Sequence, residues 1–394
     1  MRFSIGILVH STNPRGGVVH GMALAEALCD AGHNATLIAP DITGNGFYRL
    51  PRCATRYIPA KSEADLPKLV ERRIVEITNA LRHNAPFDVL HAQDPMSANA
   101  LANLVQEGRL RGFARTVHHL DCFSHPDVAA RQTRGFMAAA EVFTVSGLWQ
   151  DTLFSKYGLK TSVVGNGVDL ARFSPKPEFS DHTLRARYNL PAKARFILSV
   201  GGVERRKNTL LLLKAFEVLH KNYPDVHLVI AGGASLLDHS EYRRLCEAQI
   251  QSSNLAKAVT ITGTVADDDM PAFYRQASVL AYPSQTEGFG LCPLEALACG
   301  TPVVVPDIAP FTEHFRSNEV FWCQPESSET LVYALREALI AGCLEHFRVS
   351  GPATACRFDW HRVASRHLHA YQRLASLPPA AGAPDSGVLQ QCLK

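Results

Sequence analysis

Short apolar runs alternate along nearly the whole chain with segments in which apolar residues recur every three or four positions. The apolar runs predict buried strands, and the periodic segments predict amphipathic helices. The predicted strands are residues 3–9, 35–39, 87–91, 114–118, 141–145 and 161–164, then 195–200, 226–231, 258–262, 278–281 and 302–305. This alternation predicts an α/β fold with parallel sheets covered by helices on both faces.

The two series of strands predict two doubly wound, Rossmann-like domains. A turn-rich segment, residues 170–177, separates the series. We therefore predict an N-terminal domain over 1–172, a linker over 173–190 and a C-terminal domain over 191–356. The two domains are expected to face a central cleft, with ligands at the carboxyl ends of the strands. The tail, 378–394, is rich in Ala, Gly and Pro and is predicted to be disordered.

The composition excludes several classes of protein. The chain has 394 residues, enough for two domains with separate cores, and no apolar run approaches a membrane span. The first apolar run is too short for a signal peptide. A formal net charge of +3 does not argue for nucleic acid, and ten cysteines without a Cys-x-x-Cys pair do not argue for zinc or disulfides. We expect a cytoplasmic protein.

The most informative stretch is residues 285–305, in which Glu287 and Glu295 flank a glycine-containing loop and helix start. The loop and the first helical position are Gly288, Phe289, Gly290 and Leu291. The glycines permit close backbone approach, and amides at a helix start suit an anion. Two glutamates at this spacing also arise by chance, and Glu295 alone would complement the helix dipole. In combination, the features suit a sugar nucleotide: Glu287 for the sugar, Glu295 for the ribose and the amides for the diphosphate.

This stretch resembles the signature of the family 4 glycosyltransferases (glycosyltransferase group 1), retaining enzymes of GT-B architecture. The matching residues are Pro283-Ser284, Glu287-Gly288-Phe289-Gly290, Glu295-Ala296, Ala298 and Gly300-Thr301-Pro302-Val303-Val304. The resemblance covers about residues 3–375. It implies transfer of a sugar from a nucleoside diphosphate to an acceptor. We expect no metal ion or other cofactor, because Lys207 and Arg206 would supply the counter-charge to the diphosphate and no credible set of metal ligands is present in the sequence. The resemblance also implies a last helix, about 358–375, that packs back onto the first domain.

A basic loop follows the strand predicted at 195–200. Its sequence is GGVERRKN, and it can be either an ordinary solvated loop or a diphosphate site at a strand end. The resemblance assigns Lys207 to the donor phosphates. Many family members carry Arg where this chain has Gly202, so we expect Arg206 to substitute, with Arg205 as the weaker candidate.

A glycine pair lies between the first strand and the first helix, within residues 13–20. The segment lacks the G-x-G-x-x-G order of a dinucleotide fold, which weakens an NAD interpretation. A simple strand-to-helix turn is the structural alternative. The resemblance places Gly16 and Gly17 close to the donor diphosphate or the acceptor.

Two adjacent histidines, His118 and His119, close the strand predicted at 114–118. Adjacent residues on a strand point to opposite sides, so we do not expect a metal site. The resemblance places the active-site histidine at His118, near the donor sugar, and His119 is the alternative if the loop is shifted. Asp121 is a candidate for contact with the acceptor.

Several polar motifs have simpler structural interpretations. Asp267–Asp269 matches a metal-binding Asp-x-Asp by letter, but it precedes a helix and is predicted to cap it. Asn166 and Gly167 resemble a family motif and form a strong turn signal by themselves. His91 is at least as well explained by a structural role, and Glu313 matches a family glutamate near the cleft.

The predicted function is transfer of a sugar from a nucleoside diphosphate to an acceptor that the sequence does not identify. Lys207 and Arg206 would stabilise the departing diphosphate, and Glu287 would orient the sugar hydroxyls. The alternatives are a sugar-nucleotide epimerase, which would turn over donor without an acceptor, and a non-catalytic sugar-nucleotide-binding protein.

Several scattered arginines could attract an anionic acceptor or the inner face of a membrane, and peripheral membrane contact is therefore a second possibility. They are Arg109, Arg111, Arg115, Arg131 and Arg134. Ordinary solvated side chains are the simpler interpretation of this set.

Overall fold

The computed structural model describes residues 2–82, 87–233, 240–340 and 342–378. The chain divides into two compact units. Unit 1 comprises Met1–Asn166 together with Trp360–Lys394, and unit 2 comprises Gly167–Asp359. Among the described residues, no helix is long and apolar enough to cross a membrane. The tail predicted to be disordered lies outside the described residues from position 379 onward.

Unit 1 contains a seven-stranded sheet in which every pair of neighbouring strands is parallel, in the order β3-β2-β1-β4-β5-β6-β7. The strands are β1 (Ser4–Leu8), β2 (Asn34–Asp41), β3 (Ala54–Pro59), β4 (Val89–Ala92), β5 (Ala114–Val117), β6 (Glu141–Thr144) and β7 (Ser162–Val163). The helices are α1 (Gly16–Asp30), α2 (Leu66–Leu81), α3 (Pro95–Gln106), α4 (Pro126–Met137), α5 (Gly147–Tyr157) and the last helix of the chain, α14 (Trp360–Ala375). The order reverses between β1 and β4, which is where ligands bind in open parallel sheets.

The last helix, α14, is part of the core of unit 1. Tyr371 and Leu374 of α14 lie in the same buried cluster as Ile5 and Ile7 of β1 and Val18 of α1. Because its apolar residues are buried in this core, α14 contributes to the stability of unit 1.

Unit 2 contains a six-stranded parallel sheet in the order β10-β9-β8-β11-β12-β13. The strands are β8 (Arg195–Val200), β9 (Val226–Ala231), β10 (Val259–Gly263), β11 (Val279–Ala281), β12 (Val303–Pro306) and β13 (Phe321–Cys323). The helices are α6 (Phe179–Arg187), α7 (Thr209–Asn222), α8 (Ser240–Ser252), α9 (Met270–Gln276), α10 (Leu291–Ala298), α11 (Phe311–His314), α12 (Ser328–Ala338) and α13 (Cys343–Ala355). The predicted class, two Rossmann-like α/β domains, is confirmed.

The predicted domain boundaries differ from those of the structure. Unit 2 begins at Gly167, and the segment predicted as a linker, 173–190, belongs to it. Within that segment α6 buries Leu184, and Asp181 accepts a hydrogen bond from Arg275 at 2.7 Å. The turn-rich composition around residue 175 thus marks a loop that is packed onto unit 2, not a free connection.

Two strands of the structure were not predicted from the sequence, and both lie at the edges of their sheets. β3 exposes most of its residues and lacks an apolar run, while β13 has only three residues. An edge strand pairs on one side only and needs less apolar sequence than a central strand.

Candidate functional site

The candidate donor site lies in unit 2, at the carboxyl ends of the neighbouring strands β8 and β11. The loop after β8 carries Arg206 and Lys207, and the loop after β11 carries Glu287. The backbone N–H of Gln285 donates to the carbonyl oxygen of Arg206 at 2.9 Å, which holds the two loops together. The strand ends therefore bring side chains about eighty residues apart in sequence into one place.

Four side chains, Arg206, Lys207, Tyr282 and Glu287, form what we call the Glu287 cluster. Glu287 Oε1 accepts hydrogen bonds from Arg206 Nη1 at 2.6 Å, Lys207 Nζ at 2.8 Å and the Tyr282 hydroxyl at 3.0 Å. Lys207 Nζ also donates to the Tyr282 hydroxyl oxygen. Two positive charges thus converge on one carboxylate oxygen, a short charge-assisted arrangement.

The electrostatics of the cluster fix the charge of Glu287. Its side chain is 10% exposed, and this burial acts to raise its pKa. The positive charges of Lys207 and Arg206 outweigh the burial and lower the pKa of Glu287 to about 2. Glu287 is therefore a carboxylate at neutral pH, able to accept hydrogen bonds and unable to donate a proton.

The loop after Glu287 presents backbone rather than side chains at the start of α10. Gly290 adopts a left-handed φ of +97°, and a Cβ there would lie 2.7 Å from Phe311 Cε1. Within the described residues, no side-chain hydrogen bond caps this helix start. The amides that follow Gly290 are thus suited to an anion.

The other three predicted donor-binding residues of this segment have different environments. Gly288 and Leu291 are partly exposed. The Phe289 ring is buried against His314, with ring centroids 4.0 Å apart, and against Phe358. The side chain of Phe289 therefore anchors the loop, and the predicted contact with a donor would be made by its backbone.

Glu295 lies one turn into α10 and is held by a buried tyrosine. The Tyr274 hydroxyl donates to Glu295 Oε2 at 2.7 Å. Burial raises the pKa of Glu295, and the Tyr274 hydrogen bond opposes that effect. Tyr274 therefore fixes one carboxylate oxygen of a residue predicted to bind ribose.

The absence of an arginine at position 202 has a backbone explanation. Gly202 has a φ of +74°, and a Cβ there would lie 2.6 Å from the carbonyl oxygen of Gly233. Any side chain would therefore be strained. Arg206 lies in the Glu287 cluster, whereas Arg205 lies over the Tyr242 ring at 5.1 Å.

In unit 1, the predicted active-site histidine lies beside the glycine pair. His118 Nε2 is 3.0 Å from Gln93 Oε1. A Cβ on Gly17 would lie 3.4 Å from the His118 ring, whereas a Cβ on Gly16 would meet open space. Gly17 thus permits α1 to pack against His118, and the space beside Gly16 is available to a ligand.

His119 has a different environment from His118. It is exposed and lies 3.3 Å from the Asp121 carboxylate. Adjacent side chains do diverge here, and the position of His118 beside Gly17 favours it over His119 as the functional residue. In the part of the chain that the structure describes, no three His, Cys, Asp or Glu side chains are grouped closely enough to bind a metal ion.

The prediction that Asp267–Asp269 caps a helix is wrong in its detail. Asp269 accepts hydrogen bonds from Arg187 at 2.6 Å and from the Tyr188 hydroxyl at 2.8 Å, and Asp267 pairs with Arg172 at 2.7 Å. These carboxylates anchor other segments of unit 2 instead of the start of α9.

Of the five arginines considered for an anionic partner, Arg115 alone departs from the solvated interpretation by being buried. Arg109 and Arg111 are exposed, and Arg131 and Arg134 are partly exposed. Arg115 is 4% exposed, Arg131 pairs with Glu71 at 2.8 Å, and Arg134 donates to Asn99 at 2.8 Å. Burial lowers the pKa of Arg115 to about 10, which leaves it charged at neutral pH.

Two models of known families match this chain. The model described as "Glycosyl transferases group 1" matches residues 180–346, and the model described as "Glycosyltransferase Family 4" matches residues 14–172. Both are glycosyltransferase models, and the matches follow one another along the chain.

The curated relatives carry the same class of name. Phosphatidyl-myo-inositol mannosyltransferase of Mycobacterium tuberculosis is 26% identical over 387 residues, which is 94% of this chain and 96% of that protein. D-inositol 3-phosphate glycosyltransferase of Salinispora arenicola is 30% identical over 250 residues, 59% of this chain and 53% of that protein. Mannosylfructose-phosphate synthase of Agrobacterium fabrum is 33% identical over 160 residues, 39% of this chain and 35% of that protein. The matched region thus spans about half or less of the last two relatives.

Solved structures share the fold over almost the full length. Sucrose-phosphate synthase from Thermosynechococcus elongatus superposes with a TM-score of 0.77 at 21% identity, covering 95% of this chain and 99% of that one. HepE of Anabaena in complex with UDP-glucose gives a TM-score of 0.74 at 18% identity, covering 94% and 100%.

The fold and the family matches define a glycosyltransferase of GT-B architecture. The chain belongs to the family 4 glycosyltransferases, as predicted. The relatives give no support to the epimerase or to the non-catalytic binding protein.

Three residues of these sites were missed from sequence: Tyr274, Tyr282 and Gln93. Tyr282 directly follows β11, and Gln93 directly follows β4. For Tyr282 and Gln93 this position at a strand end was the available signal, since the carboxyl ends of parallel strands carry the ligand-binding side chains. Tyr274 lies inside α9, where no such signal was present.

Proposed function

We propose that this protein transfers a sugar from a nucleoside-diphosphate sugar to an acceptor hydroxyl, with retention of the anomeric configuration. The observation that carries the proposal is the Glu287 cluster beside the start of α10. Membership of the family supports the reaction class, and the family resemblance supports retention.

The two cations of the cluster address the main physical difficulty of the reaction. Negative charge accumulates on the diphosphate as its bond to the sugar breaks. Lys207 and Arg206 both contact Glu287 Oε1, so a diphosphate bound here would compete with that oxygen for them. Glu287 then accepts hydrogen bonds from the sugar hydroxyls, which an ionised carboxylate does well. Glu295, held by Tyr274, binds the ribose.

The proposal includes independence of divalent metal. Lys207 and Arg206 place two positive charges where a metal ion would otherwise meet the diphosphate. Activity in the presence of a chelator is the expected result. Activity that is lost with EDTA and restored by manganese or magnesium would overturn this part.

For the acceptor we propose a polyol or sugar that carries a phosphate group. The names of three relatives each combine a polyol or sugar with a phosphate or phosphatidyl group. In this chain Arg15 precedes the first turn of α1, whose amides suit an anion. If the phosphate is part of a lipid, the same chemistry would bring the protein to a membrane surface.

The first experiment is a thermal-shift screen with UDP-, GDP-, ADP- and dTDP-linked hexoses. A true donor raises the melting temperature by mass action. Release of nucleoside diphosphate is then followed with and without inositol phosphates and hexose phosphates. Release that depends on the acceptor supports the proposal. Isomerisation of the donor without acceptor, or donor binding with no turnover under any acceptor, would contradict it.

A further inference from the structure

A chain of hydrogen bonds crosses unit 1 from α14 to His118. The Tyr371 hydroxyl is 2.7 Å from His91 Nδ1, His91 Nε2 is 3.4 Å from Gln93 Nε2, and Gln93 Oε1 is 3.0 Å from His118 Nε2. Thr116 Oγ1 also lies 2.8 Å from His91 Nε2. We call Tyr371, His91, Gln93 and His118 the His118 network. Its central link is Gln93.

Gln93 is held rigidly by its surroundings. Its backbone N–H donates to the carbonyl oxygen of Leu8 at 2.9 Å, and the residue is 2% exposed. A Cβ on Gly21 of α1 would lie 3.1 Å from Gln93 Cγ, and one on Gly17 would lie 3.6 Å from its carbonyl oxygen. The two glycines let α1 pack directly onto Gln93, so its side chain has little freedom.

In the orientation that the structure gives the Gln93 amide, Oε1 faces His118 and Nε2 faces His91, and the ring protons are assigned on this orientation. An amide oxygen only accepts, so the contact with Gln93 Oε1 requires a proton on His118 Nε2 and leaves Nδ1 without one. The Gln93 amide nitrogen donates toward His91 Nε2, which must then be an acceptor. His91 therefore carries its proton on Nδ1 and donates it to the Tyr371 hydroxyl oxygen.

We propose that Gln93 is a positioning residue that holds His118 in the Nε2–H tautomer and presents its Nδ1 as a hydrogen-bond acceptor for a substrate hydroxyl. This role rests on the proposed glycosyl transfer. Gln93 itself acts through His118 and contacts no reacting group. The matching substrate chemistry is a hydroxyl that donates, as sugar and polyol hydroxyls do.

The charges around His118 agree with a neutral ring. Burial lowers the pKa of His118 well below its usual value, and the basic groups that face it add to this effect. These groups are His20 of α1, His91 of β4, Arg115 of β5 and the neighbouring His119. The His20 and His118 ring centroids are 4.8 Å apart, and His20 in turn contacts His367 and Trp360 of α14.

The tautomer can be measured without substrate. Long-range proton–nitrogen NMR spectra of the ¹⁵N-labelled, ligand-free full chain distinguish the two neutral tautomers, and the His118 signal is assigned by its loss in His118→Asn. We expect the Nε2–H form in the native protein and a shift toward the Nδ1–H form in Gln93→Leu. An Nδ1–H form in the native protein, or an unchanged tautomer in Gln93→Leu, would overturn the proposal. Because no turnover is needed, this result is separate from any failure of the proposed function.

Kinetics provide a second readout. Gln93→Leu should lower kcat about 3- to 10-fold, the value of one neutral hydrogen bond, with KM for the donor nearly unchanged. The matched control is Gln150→Leu, which removes a glutamine that donates to the Thr161 carbonyl oxygen elsewhere in unit 1. An equal loss in both variants would indicate a structural effect and count against the proposal.

The isosteric variant Gln93→Glu tests the charge of the ring. A carboxylate beside His118 stabilises the protonated imidazolium, so the acid limb of the kcat profile should move to higher pH. An unshifted profile in the folded variant would contradict a positioning role through His118.

Discussion

The Glu287 cluster of unit 2 and the His118 network of unit 1 both hold polar side chains in place for a substrate group, but the first uses charged groups and the second uses neutral groups. Both place side chains at the carboxyl ends of parallel strands. The Glu287 cluster uses full charges, with Arg206 and Lys207 on one carboxylate oxygen. The His118 network uses neutral groups: Tyr371 is hydrogen-bonded to the His91 imidazole, and Gln93 is hydrogen-bonded to the His118 imidazole.

The difference follows from what each region is proposed to meet. A diphosphate is a permanent anion, and two cations close to it provide stabilisation at any physiological pH. A sugar or polyol hydroxyl is neutral, so it is met best by an oriented acceptor that stays neutral. Each region can therefore be perturbed by a change that leaves the other intact.

A fall in pH should produce the largest difference between the two regions, because it should lower the stability of unit 1 more than that of unit 2. Burial lowers the pKa of His20 to about 4 and that of His367 to about 3, below the value of 6.5 in an unfolded chain. Between these values and 6.5 the unfolded chain binds more protons, so stability falls as the pH falls. From pH 7 to pH 5 the free energy of unfolding of unit 1 should drop by about 2 kcal/mol per such histidine.

Hydrogen exchange at pH 7 and pH 5, corrected for intrinsic rates, measures this effect. Peptides of unit 1 should lose protection first. Unit 2 should lose less, because Glu287, with a pKa of about 2, keeps its charge. Among the described residues of unit 2, burial lowers the pKa of His314 to about 4 and lowers that of His227. Earlier loss of protection in unit 2 would contradict the comparison.

Removal of a positively charged side chain from the Glu287 cluster should lower kcat strongly and should change the stability of the fold much less. Lys207→Ala should lower kcat by about 10²–10³, the typical cost of losing one preorganised group that meets developing charge. Binding of the nucleoside monophosphate should change less, because the lysine is proposed to meet charge that grows in the transition state. Arg206→Ala should have a smaller effect.

The control for that pair is Arg205→Ala, since Arg205 lies over the Tyr242 ring. Its turnover should stay near that of the native protein. If Lys207→Ala remains active while Arg206→Ala does not, the phosphate role belongs to Arg206.

Loss of Glu295 should act on donor binding. Glu295→Ala should weaken the donor by roughly 1.5–3 kcal/mol, the value of a hydrogen bond to a charged group. Calorimetry with the best donor measures this, and Glu247→Ala, which removes an exposed glutamate on α8 of the same unit, is the matched control. Equal donor affinity in folded Glu295→Ala and native protein would rule out the ribose contact.

Position 202 tests why this chain uses Arg206. Gly202→Ala introduces a Cβ 2.6 Å from a carbonyl oxygen, whereas Gly263→Ala, also at positive φ in unit 2, introduces one into open space. Gly263→Ala should cost about 1–2 kcal/mol from the backbone alone, and Gly202→Ala about 1 kcal/mol or more beyond that. Urea unfolding measures the difference. Equal stabilities would mean that a side chain fits at 202.

The parts of the sites that are formed by residues adjacent in sequence could be predicted. Glu287, the glycine loop and the start of α10 are contiguous, so their arrangement could be inferred directly. Buried central strands such as β8 and β9 were predicted for the same reason, because their apolar runs are continuous. The exposed edge strand β3 has no such run.

Partners that are distant in sequence could not be predicted. Tyr274 lies 21 residues from Glu295, and Gln93 lies 25 residues from His118. The first pair forms when α9 packs against α10, and the second forms when the strands β4 and β5 align. The strain that excludes a side chain at Gly202 likewise depends on Gly233, which follows another strand.

The stereochemistry of the product tests the central proposal most directly. The protein, its best donor and its best acceptor are followed by proton NMR, and the anomeric coupling of the first product formed is compared with that of the donor. Retained configuration, formed only when acceptor is present and lost in Lys207→Ala, is the predicted result. An inverted product, or product formed at native rate by Lys207→Ala, would contradict the role that we assign to the Glu287 cluster.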